Sequence, residues 1–202
     1  MSEYISDIAF SPTVKDYQEK EGSRFSYQKV AESRDWQNTI TDRLRSFVAN
    51  RDSFYLATVN KDGQPYIQHR GGPKGFLKVL DDHTLGFADY SGNRQFISAG
   101  NLQDSKKVSL FLMDYPTRSR IKIWGEARII QKDDKLMEQL KDDDYKAINE
   151  RAMIITLKAW DVNCPQHITP RYTLEELEPQ IGDLKDRIKE LEVKLESCEP
   201  GT

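Results

Sequence analysis

The sequence predicts a mainly β fold, an antiparallel β-barrel with peripheral helices, and three observations carry that reading. Short β-rich segments follow one another from Phe54 to Val162 with turn residues between them, which favours hairpin-linked strands over a parallel α/β sheet. Three Trp, nine Tyr and eight Phe provide core material for a 202-residue chain of one domain with appendages. The period then changes near residue 173 to a heptad, so the barrel ends before it.

The elements follow in order. Residues 1–34 are polar without a sustained period and are interrupted by Pro12 and Gly22, so residues 1–40 read as an arm with one short helix, wrapped on the barrel or on a partner subunit. Leu44, Phe47 and Val48 share a helical face after Thr41, with Asp42 in the first turn where the helix dipole favours an anion. That helix should end near Asn50. Phe54–Val59 and Pro65–His69 flank the turn Asn60-Lys61-Asp62-Gly63, and Phe76–Leu80 and Thr84–Asp89 flank Asp81-Asp82-His83. Lys107–Tyr115, Arg120–Ile130 and Ala152–Val162 complete about seven strands, with helices expected at Arg94–Leu102 and Asp133–Leu140.

Residues 173–202 read as a separate C-terminal helix. Leu174, Leu177, Ile181, Leu184, Ile188, Leu191 and Leu195 alternate spacings of three and four, and Thr173 with Glu176 makes a capping box. Pro179 and Gly182 interrupt its start, which leaves about two uninterrupted heptads. The seam asks for a partner, either across a dimer or on the chain's own barrel.

Composition narrows the function. A net charge of −3 and a pI near 5.7 argue against a broad nucleic-acid footprint, which needs clustered Lys and Arg. No run approaches the length of a membrane span, and the N-terminus lacks the basic-then-apolar order of a secretory signal, so a cytosolic protein is expected. Cys164 and Cys198 have no disulfide or zinc spacing, and His69, His83 and His167 have no metal-ligand spacing, so no metal is expected.

Three stretches carry chemistry. Gln68-His69-Arg70-Gly71-Gly72-Pro73-Lys74 runs a strand into two glycines, which is either a plain turn or bare backbone that a flat ligand can approach. Asp89-Tyr90-Ser91-Gly92-Asn93-Arg94-Gln95 ends a strand and is expected to open a helix. It reads either as a phosphate seat or as an ordinary helix start with a solvated Arg94. Asn163-Cys164-Pro165-Gln166-His167 through Arg171 is a donor-rich loop held by prolines. Its Cys–His pair suggests a nucleophile, but no local acid orients a base.

The order QHRGGPKGFLKV, GFADYSGNRQF, VSLFLMDY, RIKIWGEARII and NCPQHITPR over about residues 40–172 resembles the pyridoxamine 5′-phosphate oxidase-like FMN-binding split barrels, in an uncharacterised oxidoreductase branch. The resemblance implies a split β-barrel over residues 41–172 and a homodimer with FMN at its interface. It implies a flavin-lining strand at Gln68, His69, Arg70, Gly71 and Gly72 and a phosphate clamp at Asn93, Arg94 and Gln95. Ala88 and Asp89 would lie at the ribityl chain, and Trp124 on the pairing strand. Asn163, Cys164, Gln166, His167 and Arg171 would come from the partner. Two cations of the pyridoxamine-phosphate oxidase pattern are missing, where this chain has Gln68 and Gln95, and Arg70 or Lys74 would have to compensate.

The resulting expectation is an FMN-dependent oxidoreductase using a small substrate and a reductant such as NAD(P)H, with His69, Cys164 and His167 as candidate catalytic groups. A non-catalytic flavin-binding protein is the alternative. A ligand-free scaffold for the heptad helix is a third reading.

Overall fold

Strands β1 (Ser53–Val59), β2 (Pro65–Gly71), β3 (Lys78–Val79), β4 (Thr84–Tyr90), β5 (Lys107–Asp114), β6 (Ser119–Ile130) and β7 (Asn149–Val162) pair into one antiparallel sheet, in the order β2-β1-β5-β6-β7-β4-β3. A computed structural model describes residues 3–131 and 133–198. Its helices are α1 (Pro12–Lys20), α2 (Arg24–Arg34), α3 (Asp42–Ala49), α4 (Ile97–Asp104), α5 (Asp134–Leu140) and α6 (Leu174–Cys198). The mainly β class is therefore as expected.

Alternation of side chains across each strand builds the core. Phe54 and Leu56 of β1, Val108, Leu110 and Leu112 of β5, and Ile121 and Ile123 of β6 all point to one buried face. Leu44 and Val48 of α3 join them, each fully buried, and Thr41 caps that helix by accepting from the Leu44 N–H. Each such apolar side chain contributes about 1.5–3 kcal/mol through burial. In β7 both faces are covered from Ala152 to Ile155. Met153 and Ile155 enter the main core, while Ala152 and Ile154 meet Ala88 and Leu140 in a smaller cluster. At the β6 bulge after Trp124, Gly125 is required because a Cβ there would lie 2.6 Å from the Thr156 carbonyl oxygen.

Several expectations need correction. Among the described residues the arm carries two α-helices and a 3-10 helix (Ile5–Ile8) where one short helix was expected; it lies against its own sheet, one of the two places expected, with Gln37 exchanging backbone hydrogen bonds with Trp160 and Trp36 stacked on Trp124 at 4.7 Å. The strand expected at Phe76–Leu80 shrinks to two residues, because Phe76 and Leu77 turn inward and Phe76 packs against Phe54 and Phe87. The helix expected from Arg94 starts at Ile97, since Arg94 and Phe96 both have left-handed backbone, with φ of 59° and 54°. β7 begins at Asn149, three residues early. α6 runs through Pro179 without a break.

The chain divides into two compact units. One holds the residues up to Asp114 together with Ser119–Pro165, and the other holds Tyr115–Arg118 together with the chain from Gln166 onward. In the second unit the Thr173 and Glu176 capping box forms in both directions, at 2.8 and 3.2 Å, and the Arg171 guanidinium lies 4.8 Å from the Tyr115 ring.

Candidate functional site

Because β3 pairs only with Leu85 and Gly86, the second half of β4 has no strand beside it on that side. β2, at the opposite end of the sheet order, is likewise paired on one side only. Side chains bridge this opening. Arg70 of β2 donates through Nη1 to Asp89 Oδ1 of β4 at 2.5 Å, and its guanidinium sits 5.7 Å from the Phe87 ring centre. Arg151, opposite Asp89 in the β4–β7 register, brings its Nε to 3.4 Å from Asp89 Oδ2 and donates through Nη2 to Glu150. Glu150 also accepts from the Ser91 hydroxyl at 3.0 Å. Hydrogen bonding to Arg151 and then to Ser91 holds the Glu150 carboxyl below the ordinary range.

Two adjoining hollows open along this split. The first, about 60 Å³, is lined by Gln68, Arg70, Asp89, Asn93, Arg94 and Gln95, with Phe96, Ser98 and Arg151 also in its wall. The second, about 130 Å³, is lined by His69, Arg70, Gly71, Ala88 and Asp89 over a floor of Phe76 and Phe87.

The loop into α4 gives the first hollow its charge. Asn93 Oδ1 accepts from the Gln95 N–H at 3.2 Å, a local turn that competes with helix and delays its start. Phe96 then occupies the N-cap in the left-handed region and offers no side-chain cap, so the first N–H groups of α4 have no side chain on them. The guanidinium groups of Arg94 and Arg151 lie 5.8 and 4.9 Å from the Phe96 ring centre. Three guanidinium groups and a positive helix end thus meet two carboxylates, and the balance favours an anion. The buried Nε atoms of Arg70 and Arg151 have no hydrogen-bond partner. Ser98, itself buried, donates to Gln68 Oε1 at 2.7 Å and fixes that amide at the wall.

The structure brings together Gln68, His69, Arg70, Gly71, Ala88, Asp89, Asn93, Arg94 and Gln95. Gly72 differs. Its N–H donates to the Asp52 carbonyl at 2.9 Å, and a Cβ on it would meet the Phe76 side chain at 2.7 Å, so close packing explains this glycine. Lys74 and Trp124 line neither hollow. Asn163 is held by Arg120: its backbone N–H donates to the Arg120 carbonyl at 3.1 Å, and its side-chain oxygen, in the amide orientation that satisfies both groups, accepts from the Arg120 guanidinium. Cys164 is an exposed free thiol. Gln166, His167 and Arg171 are exposed residues of the second unit, and His167 has φ of 61°. Exposed His83 places Nδ1 at 2.9 Å from the Asn38 carbonyl oxygen.

Sequence reasoning missed Arg151, Glu150, Phe96 and Ser98. The pairing of Asp89 with Arg151 across β4 and β7 is a long-range register that no local pattern encodes. Ser98 and Phe96 became visible only once the start of α4 was known.

The model of the pyridoxamine 5′-phosphate oxidase family matches residues 40–171, and the chain belongs to that family. Members of the family are generally dimeric and typically bind flavin. Its seven-stranded sheet is accordingly the family's split barrel.

Solved structures also resemble it. An FMN-binding protein from Syntrophomonas wolfei is 16% identical over 74% of this chain and 96% of its own, with a TM-score of 0.48. HupZ of Group A Streptococcus is 18% identical over 66% of this chain and 99% of its own, with a TM-score of 0.47. A Clostridium acetobutylicum protein related to general stress protein 26 is 15% identical over 65% of this chain and 92% of its own, with a TM-score of 0.45. Comparison with curated proteins returns no match. Among the described residues, no helix is long and apolar enough to cross a membrane.

Proposed function

We propose that this chain is a cytosolic FMN-dependent oxidoreductase that works as a homodimer on a small substrate, with a nicotinamide as reductant. One observation carries the reading: Arg70, Arg94 and Arg151 converge with the uncapped start of α4 on a hollow beside the half-paired strand β2. The residues present fit the cofactor. A phosphate ester would be held by Arg94 and the α4 N–H groups, and the Arg70 Nε, buried without a hydrogen-bond partner, is a donor still to be used. Gln68, His69, Arg70 and Gly71 would lie along the flavin ring, with the Ser98 hydroxyl holding the Gln68 amide in place. Arg70 and Arg151, each paired with a carboxylate, would add hydrogen-bond donors where Gln68 and Gln95 stand in place of cations.

The hollows of about 60 and 130 Å³ fall below the roughly 300 Å³ at which ligand sites begin, so a second copy would complete the enclosure. Asn163, Cys164, Gln166, His167 and Arg171 are the residues we assign to that contribution. Bound FMN would supply hydride chemistry between the nicotinamide and an acceptor. Exposed His69, edge-on to Tyr55 at 5.7 Å, is the residue best disposed to move a proton at the second hollow.

The test is anaerobic mixing of the FMN-loaded protein with NADH or NADPH. Loss of the visible flavin bands, restored by air or a small acceptor, is the expected result. Retained flavin that no nicotinamide bleaches would favour the non-catalytic flavin-binding alternative.

A further inference from the structure

Helix α6 leaves an apolar seam open. Leu174, Leu184 and Leu195 are 83%, 65% and 69% exposed, and Ile181, Ile188 and Leu191 are exposed between them. Heptad assignment puts Leu174, Ile181, Ile188 and Leu195 at a, and Leu177, Leu184, Leu191 and Cys198 at d. The two helix-weakening residues fall outside this seam, Pro179 at f and Gly182 at b, and nothing lies within 4 Å of a Cβ built on Gly182. The seam therefore runs unbroken along a 25-residue helix.

We propose that α6 pairs with α6 of a second copy of this chain as a parallel, two-stranded coiled coil. Ile at the central a positions with Leu at d is the combination that favours two parallel strands. Flanking charges select the orientation. In a parallel pair, Arg187 at g faces Glu192 at e of the other copy, twice by symmetry, while Gln180 faces Lys185 and no like charges meet. An antiparallel pair overlapping the whole helix sets Lys185 against Lys185, Arg187 against Arg187 and Glu178 against Glu192. Arg187 already holds Glu190 of its own helix at 2.6 Å, but that pair is exposed and free to exchange. A closed parallel pair also meets the self-complementarity that a two-fold dimer demands.

The register makes a cross-linking prediction. Leu191 at d would lie beside its own counterpart in a parallel pair and opposite Ile181 in an antiparallel one. The chain carrying Leu191→Cys together with Cys164→Ser and Cys198→Ser is oxidised mildly and run without reductant. A disulfide-linked dimer is expected, and none without Leu191→Cys. Ile181→Lys with Ile188→Lys should abolish the cross-link, and because these positions are exposed, circular dichroism should show the barrel still folded. The proposal is overturned if Leu191→Cys gives no linked dimer, as it would be if α6 packs on its own chain or on another protein. It is equally overturned if cross-linking persists in the double Lys variant.

Discussion

At the scale of single residues, two positions test different parts of the account. Gly72 is needed because Phe76 occupies the space of its missing side chain. Gly72→Ala should therefore destabilise the fold by about 1–3 kcal/mol in denaturant unfolding, as overpacking does, without changing the chemistry of the hollows. Asp161 tests electrostatics. Burial pushes its carboxyl above the ordinary range, and Lys122 at 3.7 Å and the Val162 N–H oppose that only in part. A raised folded pKa means the native state holds the proton more tightly than the unfolded chain. The contribution of Asp161 to stability is then fully present below the ordinary Asp value of about 3.9 and is lost as pH rises through the raised one. Asp161→Asn should remove that decline, so thermal unfolding of variant and parent from pH 3 to 8 should diverge in favour of the variant as pH rises. A variant that is less stable at pH 7 would contradict the assignment.

At the scale of elements, the N-terminal arm was the least legible part. Arm helices α1 and α2 bury almost nothing apolar, so no periodic stripe announces them, and contacts between rings hold the segment instead: Tyr27 with Phe10, Phe10 with Trp36, and Trp36 with Trp124. Trp36→Ala should uncover Trp124 and lower stability by roughly 1–3 kcal/mol, with a red shift in Trp fluorescence as the observable. Thr173→Ala should cost α6 about 1 kcal/mol at its cap, seen as reduced helical signal. Strands β1, β2, β5 and β6 were legible almost to the residue because side-chain alternation and hairpin turns are local signals. The start of α4 was not, since the Asn93 turn and two left-handed residues override a sequence that reads as helix from Arg94. Pro179 misled in the opposite direction: α6 continues through it near its start, at the loss of the one backbone hydrogen bond that a proline cannot donate.

At the scale of the whole molecule, the split in the sheet is what joins fold to function. A short β3 leaves β4 uncovered, and Arg70, Asp89 and Arg151 occupy the gap as a charged wall between strands far apart in the sheet order. Most of the candidate wall was readable in the sequence from the strand ends and the Asn93-Arg94-Gln95 turn. Arg151 was not, because its role comes from sheet register alone. The central claim, that this wall binds FMN, is tested most directly by the visible absorbance spectrum of freshly purified protein and its Arg94→Ala variant, with the released chromophore identified by mass. The account predicts oxidised-flavin bands and the mass of FMN in the parent. It predicts FMN affinity weakened by about ten- to a hundredfold in the variant, as loss of a charge-assisted contact of roughly 1.5–3 kcal/mol requires. A colourless protein that also fails to take up added FMN, or a variant that binds FMN as tightly as the parent, would contradict it.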